Sequence, residues 1–293
     1  MEKATVGIIG GTGLSDVLIK EAGGKTVAVE TPFGPPSSNP IVANWEGVDV
    51  AFLSRHGPEH MINPSAVPYR ANIWALKTLG VSAIIASGAT GSLREDIEPG
   101  HLVLCDQVID KTCRRESTFF NEGLVVHVEF GEPFCRHLRR LLAGAGERVD
   151  VPVHHAGTYV CMEGPQFSTR AESHMHRQWG GDLVGMTCMP EAKLAREAEM
   201  CYALVALPTD YDCWRPADPS RSEDVLLKEI LGNLRRATDN AISLIHEALK
   251  LMDNQRRSCR CHEALKLAIW SDKAQIDAEV RRRLDLLIGR YVD

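Results

Sequence analysis

The sequence predicts an α/β protein, a sheet with helices packed outside it. Two apolar runs that end in small residues carry this reading, together with the alternation of element types along the chain. Residues 4–9 are apolar enough for a buried strand and pass into Gly10-Gly11-Thr12-Gly13. Residues 83–86 repeat the pattern and pass into Ser87-Gly88-Ala89-Thr90-Gly91. Between and beyond them, short apolar runs take turns with segments of helical spacing, the arrangement that builds an α/β sheet. Functional groups then gather where strands end.

In chain order, 25–30 reads as a short strand after the glycine loop, and the Pro-, Gly- and Ser-rich stretch 31–40 as a loop. Strands at 41–45 and 48–53 meet at Glu46-Gly47, a hairpin. Ile73, Leu76 and Leu79 share one face of a helix over 69–79. A strand over 101–109 follows the 83–86 strand and its small-residue loop. The second half repeats the logic: helix 132–142, extended 155–161, helix 170–179, strand 183–186, helix 190–199 with Pro190 at its start, strand 202–207. Ser222-Glu223-Asp224 caps a long amphipathic helix reaching Leu251, with Leu227, Ile230, Leu231, Leu234 and Ala241 along its stripe. One or two further helices form a tail over 254–293, so the chain reads as one domain, 1–293, with its core at 4–251.

Composition narrows the function. The chain has 293 residues, 44% hydrophobic and 25% charged, enough to bury a sizeable core. A formal net charge of -6 argues against a nucleic-acid partner. The basic clusters Arg256-Arg257 and Arg281-Arg282-Arg283 read as solvated helix faces. The first apolar run ends at once in glycines, and no stretch has the ~18 consecutive apolar residues of a membrane span. A cytoplasmic location is expected, without a membrane partner. Nine irregularly spaced cysteines do not form a secreted disulfide framework. Cys259-Arg260-Cys261 is the one close pair, and zinc would want a second pair at matching spacing. No metal is therefore expected; buried thiols are the first reading, and a redox clip in the tail the second.

The glycine loop at 10–13 suits an anion, because glycine backbone N–H groups can point inward and the Thr12 hydroxyl adds a donor. A dinucleotide turn is the rival, and Glu30 even mimics its acidic ribose ligand. Against it, Asp16 stands where the third glycine belongs, and the helix that should follow, 14–20, is short. Arg55-His56-Gly57 at a strand end sets a bidentate oxyanion donor beside a tunable one. The 87–91 stretch offers a third anion-binding loop.

These motifs add up to a family resemblance. Val6-Gly-Ile-Ile-Gly-Gly-Thr-Gly-Leu14, Arg55-His56-Gly57, Ala71-Asn-Ile-Trp-Ala-Leu76 and Gly91-Ser-Leu-Arg94 resemble the 5′-methylthioadenosine phosphorylases, within the trimeric purine-nucleoside phosphorylases. So do Glu163-Gly-Pro-Gln-Phe167, Met186-Thr187 and Thr209-Asp-Tyr-Asp-Cys-Trp214, in order and with the right gaps over about 6–251. The resemblance implies a single-domain α/β fold with a central mixed, partly barrel-like sheet, a homotrimer with active sites at subunit borders, and inorganic phosphate as co-substrate without a cofactor. It implies that Thr12, Arg55, His56, Gly88, Ala89 and Thr187 hold phosphate. Met186 would lie under the ribose, Phe167 on the purine, and Asp210 and Asp212 at the base. Ser168, Glu223, Leu226 and Leu227 would shape the pocket for the 5′ group, with His127 reaching over from a neighbouring subunit. The chain departs from the family at Gly88, where a hydroxyl residue is usual, so that one phosphate donor is either lost or supplied by Ser87. It departs again at Glu223, where an apolar residue is common.

Cleaving an N-glycosidic bond leaves positive charge on the sugar and negative charge on the purine. Phosphate placed beneath C1′ answers the first, and a proton or hydrogen bond at N7 the second. A shielded Asp210 can stay protonated near neutrality and serve N7, while its other oxygen accepts from a 6-amino group. Taken alone, Asp210 and Asp212 equally suit a turn after the 202–207 strand. The expected reaction is phosphorolysis of methylthioadenosine. The rivals are a 6-oxopurine nucleoside phosphorylase, an NAD-dependent oxidoreductase, and a silent nucleoside-binding protein.

Overall fold

The computed structural model describes residues 2–11, 23–216, 222–252 and 259–292. Thr12, Gly13, the expected 14–20 helix and the side chain of Glu223 lie outside the described residues. The strands are β1 (Val6–Gly10), β2 (Lys25–Thr26), β3 (Ile41–Trp45), β4 (Val48–Ser54), β5 (Ala83–Ser92) and β6 (Leu102–Leu104). They continue with β7 (Gln107–Asp110), β8 (Val153–His154), β9 (Thr158–Cys161), β10 (Leu183–Gly185) and β11 (Cys201–Tyr211). The helices are α1 (Tyr69–Thr78), α2 (Arg136–Gly146), α3 (Arg170–Gln178), α4 (Cys188–Glu197), α5 (Glu223–Leu251) and α6 (Ala278–Ile288).

All these strands join one mixed sheet, which branches at β5 and does not close. One edge of β5 pairs with β11 in parallel along nearly its whole length. The other edge pairs in parallel with β1 over 83–86, then antiparallel with β10 at Gly91 and Ser92. From there β10, β9 and β7 form one branch, while β11, β6 and β8 form the other.

Side chains alternate across this sheet and fill a core on each face. Ile9, Ile84 and Leu204 face α1 and α4, among Ile73, Trp74 and Leu194. Their neighbours Ile8, Ile85 and Val205 face α2 and α5, among Leu142 and Ile245. The tail belongs to the body: Leu284, Leu287 and Ile288 of α6 are buried in the first core, and Glu199 accepts from the Leu265 N–H and the Tyr291 hydroxyl.

Several boundaries differ from the sequence reading, each for a tertiary reason. The expected strand 25–30 pairs only at Lys25 and Thr26. The expected strand 101–109 is two strands, because the chain changes branch at Cys105-Asp106. Asp106 fastens the crossing: its N–H donates to Gly157 and its carboxylate accepts the Gly157 N–H at 2.8 Å. Of the extended stretch 155–161 only β9 is strand; it pairs with β7, while β8, just before the stretch, pairs with β6. The 132–142 helix begins later, at Arg136, since the Cys135 N–H is already donated to Tyr202. In α5 the expected stripe is buried only from Ala237 onward; Leu227 and Leu231 are exposed. Ser222 sits at the N-cap of that helix without a side-chain capping bond.

Candidate active site

Two segments expected as loops are strand. Residues 87–91 continue β5 and Asp210 lies in β11, opposite Gly91. The reason is that β5 and β11 pair over ten residues, well past the apolar runs that mark them in the sequence. The small residues serve closeness instead of a turn. A Cβ at Gly88 would stand 3.1 Å from the Thr187 hydroxyl, and one at Gly91 would stand 3.1 Å from the Asp212 Cβ.

At the Gly88 end the anion candidates meet. Gly11 follows β1, and a Cβ placed there would lie 3.6 Å from Arg55 Nη1. The Arg55 backbone N–H donates to Gly10, so the ends of β1 and β4 are tied together. Arg55 is fully buried, and its bidentate grip goes to Glu191 at 2.8 Å through both Nε and Nη2. Its Nη1 donates to the Ser87 carbonyl at 2.7 Å. Among the described residues, one N–H on each of Nη1 and Nη2 is left over. Burial opposes the charge of Arg55, but Glu191 outweighs it and holds the guanidinium protonated. Tyr202 donates to the same carboxylate at 2.8 Å, so the pair is also hydrogen-bonded from outside.

His56 is buried, and its Nδ1 lies 2.8 Å from the Ile62 carbonyl, which can only accept. Nδ1 therefore carries the proton, and in the neutral ring Nε2 is an acceptor. Burial first and Arg55 second push its pKa down to about 4. Thr187 stands at the N-cap of α4 with its side chain free of any capping bond. Among the described residues, the Ser87 hydroxyl is buried without a partner.

Three residues further along β5, the base candidates gather. Asp210 is half-buried, and burial raises its pKa; Asp212 adds to this, while a bond from the Thr209 hydroxyl to Oδ1 at 2.7 Å opposes it. Asn233 of α5 donates to the Thr209 carbonyl at 2.9 Å and so holds this strand end. Asp212 is buried, its N–H donates to Ser92, and its Oδ2 has no partner among the described residues. The Ser168 carbonyl accepts from Cys213 at 3.2 Å, which seats the Phe167-Ser168 loop beside this end. Phe167 itself is 84% exposed.

Met186 falls between the two groups. Val184 packs 3.3 Å from a Cβ at Gly91, and Thr187 sits against Gly88, so Gly185 and Met186 between them lie along the gap. Strand rise makes that gap about 10 Å for three residues. Ala89 lies within it on β5. The remaining candidates lie elsewhere on the chain. His127 is exposed, with its ring 4.8 Å from that of Trp270 in the tail. Leu226 and Leu227 are exposed on the first turns of α5.

Glu191, Tyr202 and Arg115 are absent from the sequence reading. Arg115 has a side chain only 1% exposed and donates to the Met186 and Met189 carbonyls at 2.6 Å and to Glu163 at 3.1 Å. It thus fixes the backbone on both sides of Thr187. No spacing marks it: Arg114-Arg115 is one more basic pair in a loop. Glu163 opens the Glu163-Gly-Pro-Gln-Phe167 motif, and four hydrogen bonds from Ser65, Cys113, Arg114 and Arg115 surround it. Burial would raise its pKa, but these donors carry it down to about 2. A cavity of about 320 Å³ lies at the far end of the sheet, lined by Lys77, Ser82, Glu199 and His262. It contains none of these groups.

A buried cationic corner and a shielded carboxyl group spaced along one strand of a mixed α/β sheet suit the chemistry of a group-transfer enzyme. Comparison with known proteins supplies the particular family. The model of the Phosphorylase superfamily matches residues 5–250, and the chain belongs to that superfamily. It is similar to the S-methyl-5′-thioadenosine phosphorylase of Geobacter sulfurreducens, 47% identical over 98% of this chain and 99% of the relative. The enzyme of the same name from Thermosynechococcus vestitus is 45% identical over 99% of both. Among solved structures, a methylthioadenosine phosphorylase from an antarctic soil metagenomic library superposes with a TM-score of 0.90 at 44% identity, over 98% of this chain and 99% of that one. A Schistosoma mansoni adenosine/methylthioadenosine phosphorylase variant in complex with methylthioadenosine gives 0.80 at 37% identity, over 90% and 96%.

Proposed function

We propose that the chain catalyses phosphorolysis of S-methyl-5′-thioadenosine to adenine and 5-methylthio-ribose 1-phosphate. Inorganic phosphate is the co-substrate, and no metal or organic cofactor takes part in the step. The names of the relatives and the bound nucleoside of the Schistosoma mansoni structure support this reading. The observation that carries it is the spacing on β5 of the Gly88–Thr187 contact and the Asp210–Gly91 pair.

Phosphate lies at the Gly88 end, held by Thr12, the two remaining Arg55 N–H groups, the Gly88-Ala89 backbone and Thr187, with Ser87 supplying the hydroxyl that Gly88 lacks. Neutral His56 accepts from a protonated phosphate oxygen. The ribose lies over Met186 and the purine between Phe167 and the two aspartates. A phosphate oxygen attacks C1′ as the C1′–N9 bond breaks. The bond's electron pair enters the purine, and protonated Asp210 gives N7 its proton. Asp212, with a buried oxygen unpaired among the described residues, joins Asp210 at the base. Ser168, Glu223, Leu226 and Leu227 meet the 5′ group, and His127 comes from a neighbouring subunit of a homotrimer. The enzyme works in the cytoplasm in nucleoside salvage, returning adenine and the methylthio sugar.

Purified protein should release adenine from methylthioadenosine only when phosphate or arsenate is present. Turnover that ignores both anions, or faster phosphorolysis of inosine than of methylthioadenosine, overturns the reading.

A further inference from the structure

We infer that Cys135, Cys201, Cys259 and Cys261 form a tetrathiolate zinc site that fastens the C-terminal tail to the sheet. Their four Sγ atoms lie within 4.8 Å of one another, and Cys135 and Cys259 are 3.7 Å apart. Four thiolates about 2.3 Å from one zinc ion stand about 3.8 Å from each other at the corners of a tetrahedron. A disulfide would need about 2.05 Å. Among the described residues, no other group of three or more His, Cys, Asp or Glu side chains converges in this way.

The thiols come from three separate parts of the chain, each with its backbone anchored. Cys135 is the N-cap of α2, and its N–H donates to Tyr202 at 2.8 Å. Cys201 opens β11, and its N–H donates to Ser82 at 2.9 Å. Cys259 and Cys261 belong to the 3-10 turn Arg260–Glu263 and its N-cap. Three of the four are buried and Cys259 is half-buried, which leaves one side for metal entry. His262 lies beside them, Nε2 3.5 Å from Cys201 Sγ and 3.3 Å from the Ser82 carbonyl. An N–H there can donate to a thiolate and offset part of its charge.

The sequence arithmetic against zinc assumed that a second close pair must exist. Here two single cysteines, one at a helix start and one at a strand start, supply the missing ligands. Loading follows Zn²⁺ + 4 RSH → [Zn(SR)₄]²⁻ + 4 H⁺, with no oxidant or reductant. Cys201 and Asp210 stand near opposite ends of β11, roughly 30 Å apart by strand rise. With four protein ligands the ion has no open position, so its role is to hold the tail and not to act on substrate.

The test is elemental analysis of the full-length protein purified without added metal or chelator. One zinc per chain is expected, released when an organomercurial titrates the thiols. Cobalt substitution should give the absorption bands of tetrahedral cobalt–thiolate. Cys259→Ser/Cys261→Ser should lose the zinc and lower Tm, with KM for nucleoside and phosphate unchanged. Four free, alkylatable thiols without metal, a disulfide in non-reducing peptide maps, or iron in place of zinc would each overturn the assignment. Because the wild-type metal content decides, a variant that fails to fold leaves the test intact. A zinc-free protein that still releases adenine with phosphate would sink this inference alone.

Discussion

Asp210 and His56 show how burial sets a residue's task. Both are pushed toward their neutral forms, and for an acid and a base this has opposite meanings. Neutral Asp210 has a proton to give, while neutral His56 has a lone pair to receive one. Replacing Asp210 with Asn removes the transferable proton and turns an acceptor into a donor. We expect kcat on methylthioadenosine to fall by about 10²- to 10⁴-fold, the usual worth of a positioned acid. Relative kcat/KM should move toward 6-oxopurine nucleosides; an unchanged kcat would remove Asp210 from the mechanism. His56 also predicts a stability profile. Its folded pKa of about 4 lies below the ordinary 6.5, so between these values the unfolded chain binds more protons. The stability that neutral His56 contributes is fully present above pH 6.5 and is lost as pH falls toward 4. Urea unfolding of the wild type and His56→Gln across that range should show the wild type losing more stability. Parallel curves would count against the burial argument.

At the scale of elements, the site is a product of strand ends tied across the sheet. Arg55 at the end of β4 reaches Glu191 in α4, and Tyr202 near the start of β11 closes the set. Removing one member of such a buried pair is far worse than never having it, costing about 3–5 kcal/mol. Glu191→Ala should therefore destabilise by that amount in equilibrium denaturation and raise the KM for phosphate. The rise should exceed that for nucleoside, since Arg55 loses its anchor; equal changes in both would make the pair purely structural. Part of this level was readable: the apolar runs marked β1, β4, most of β11 and the first half of β5. The ends were not, because Ser87–Gly91 and Asp210 carry loop-like residues that strand pairing overrides. Glu191 was unreadable for a similar reason. A glutamate in an amphipathic helix looks solvated until the helix is docked.

For the whole molecule, the exposed apolar residues of a single chain need an account. Val225, Leu226, Leu227 and Leu231 lie exposed along the first turns of α5, and Trp270 is 72% exposed beside His127. A homotrimer that shares its sites would cover such groups and bring His127 to a neighbour's 5′ pocket. Sedimentation equilibrium should then give three times the 32.3 kDa chain mass. His127→Ala should raise the KM for methylthioadenosine and leave that for phosphate nearly unchanged. A monomer with full activity would contradict the shared site.

By itself, the sequence determined the α/β class and the family resemblance, and it supplied the candidates for the anion and purine ends. Local pattern suffices there, because apolar runs, glycine loops and contiguous motifs are properties of neighbouring residues. Only the tertiary structure decided that Arg55 is gripped by Glu191, that Arg115 pins the backbone around Thr187, and that four cysteines from three segments share one point. Each of these joins residues far apart in the chain, and such distances close only when the sheet assembles.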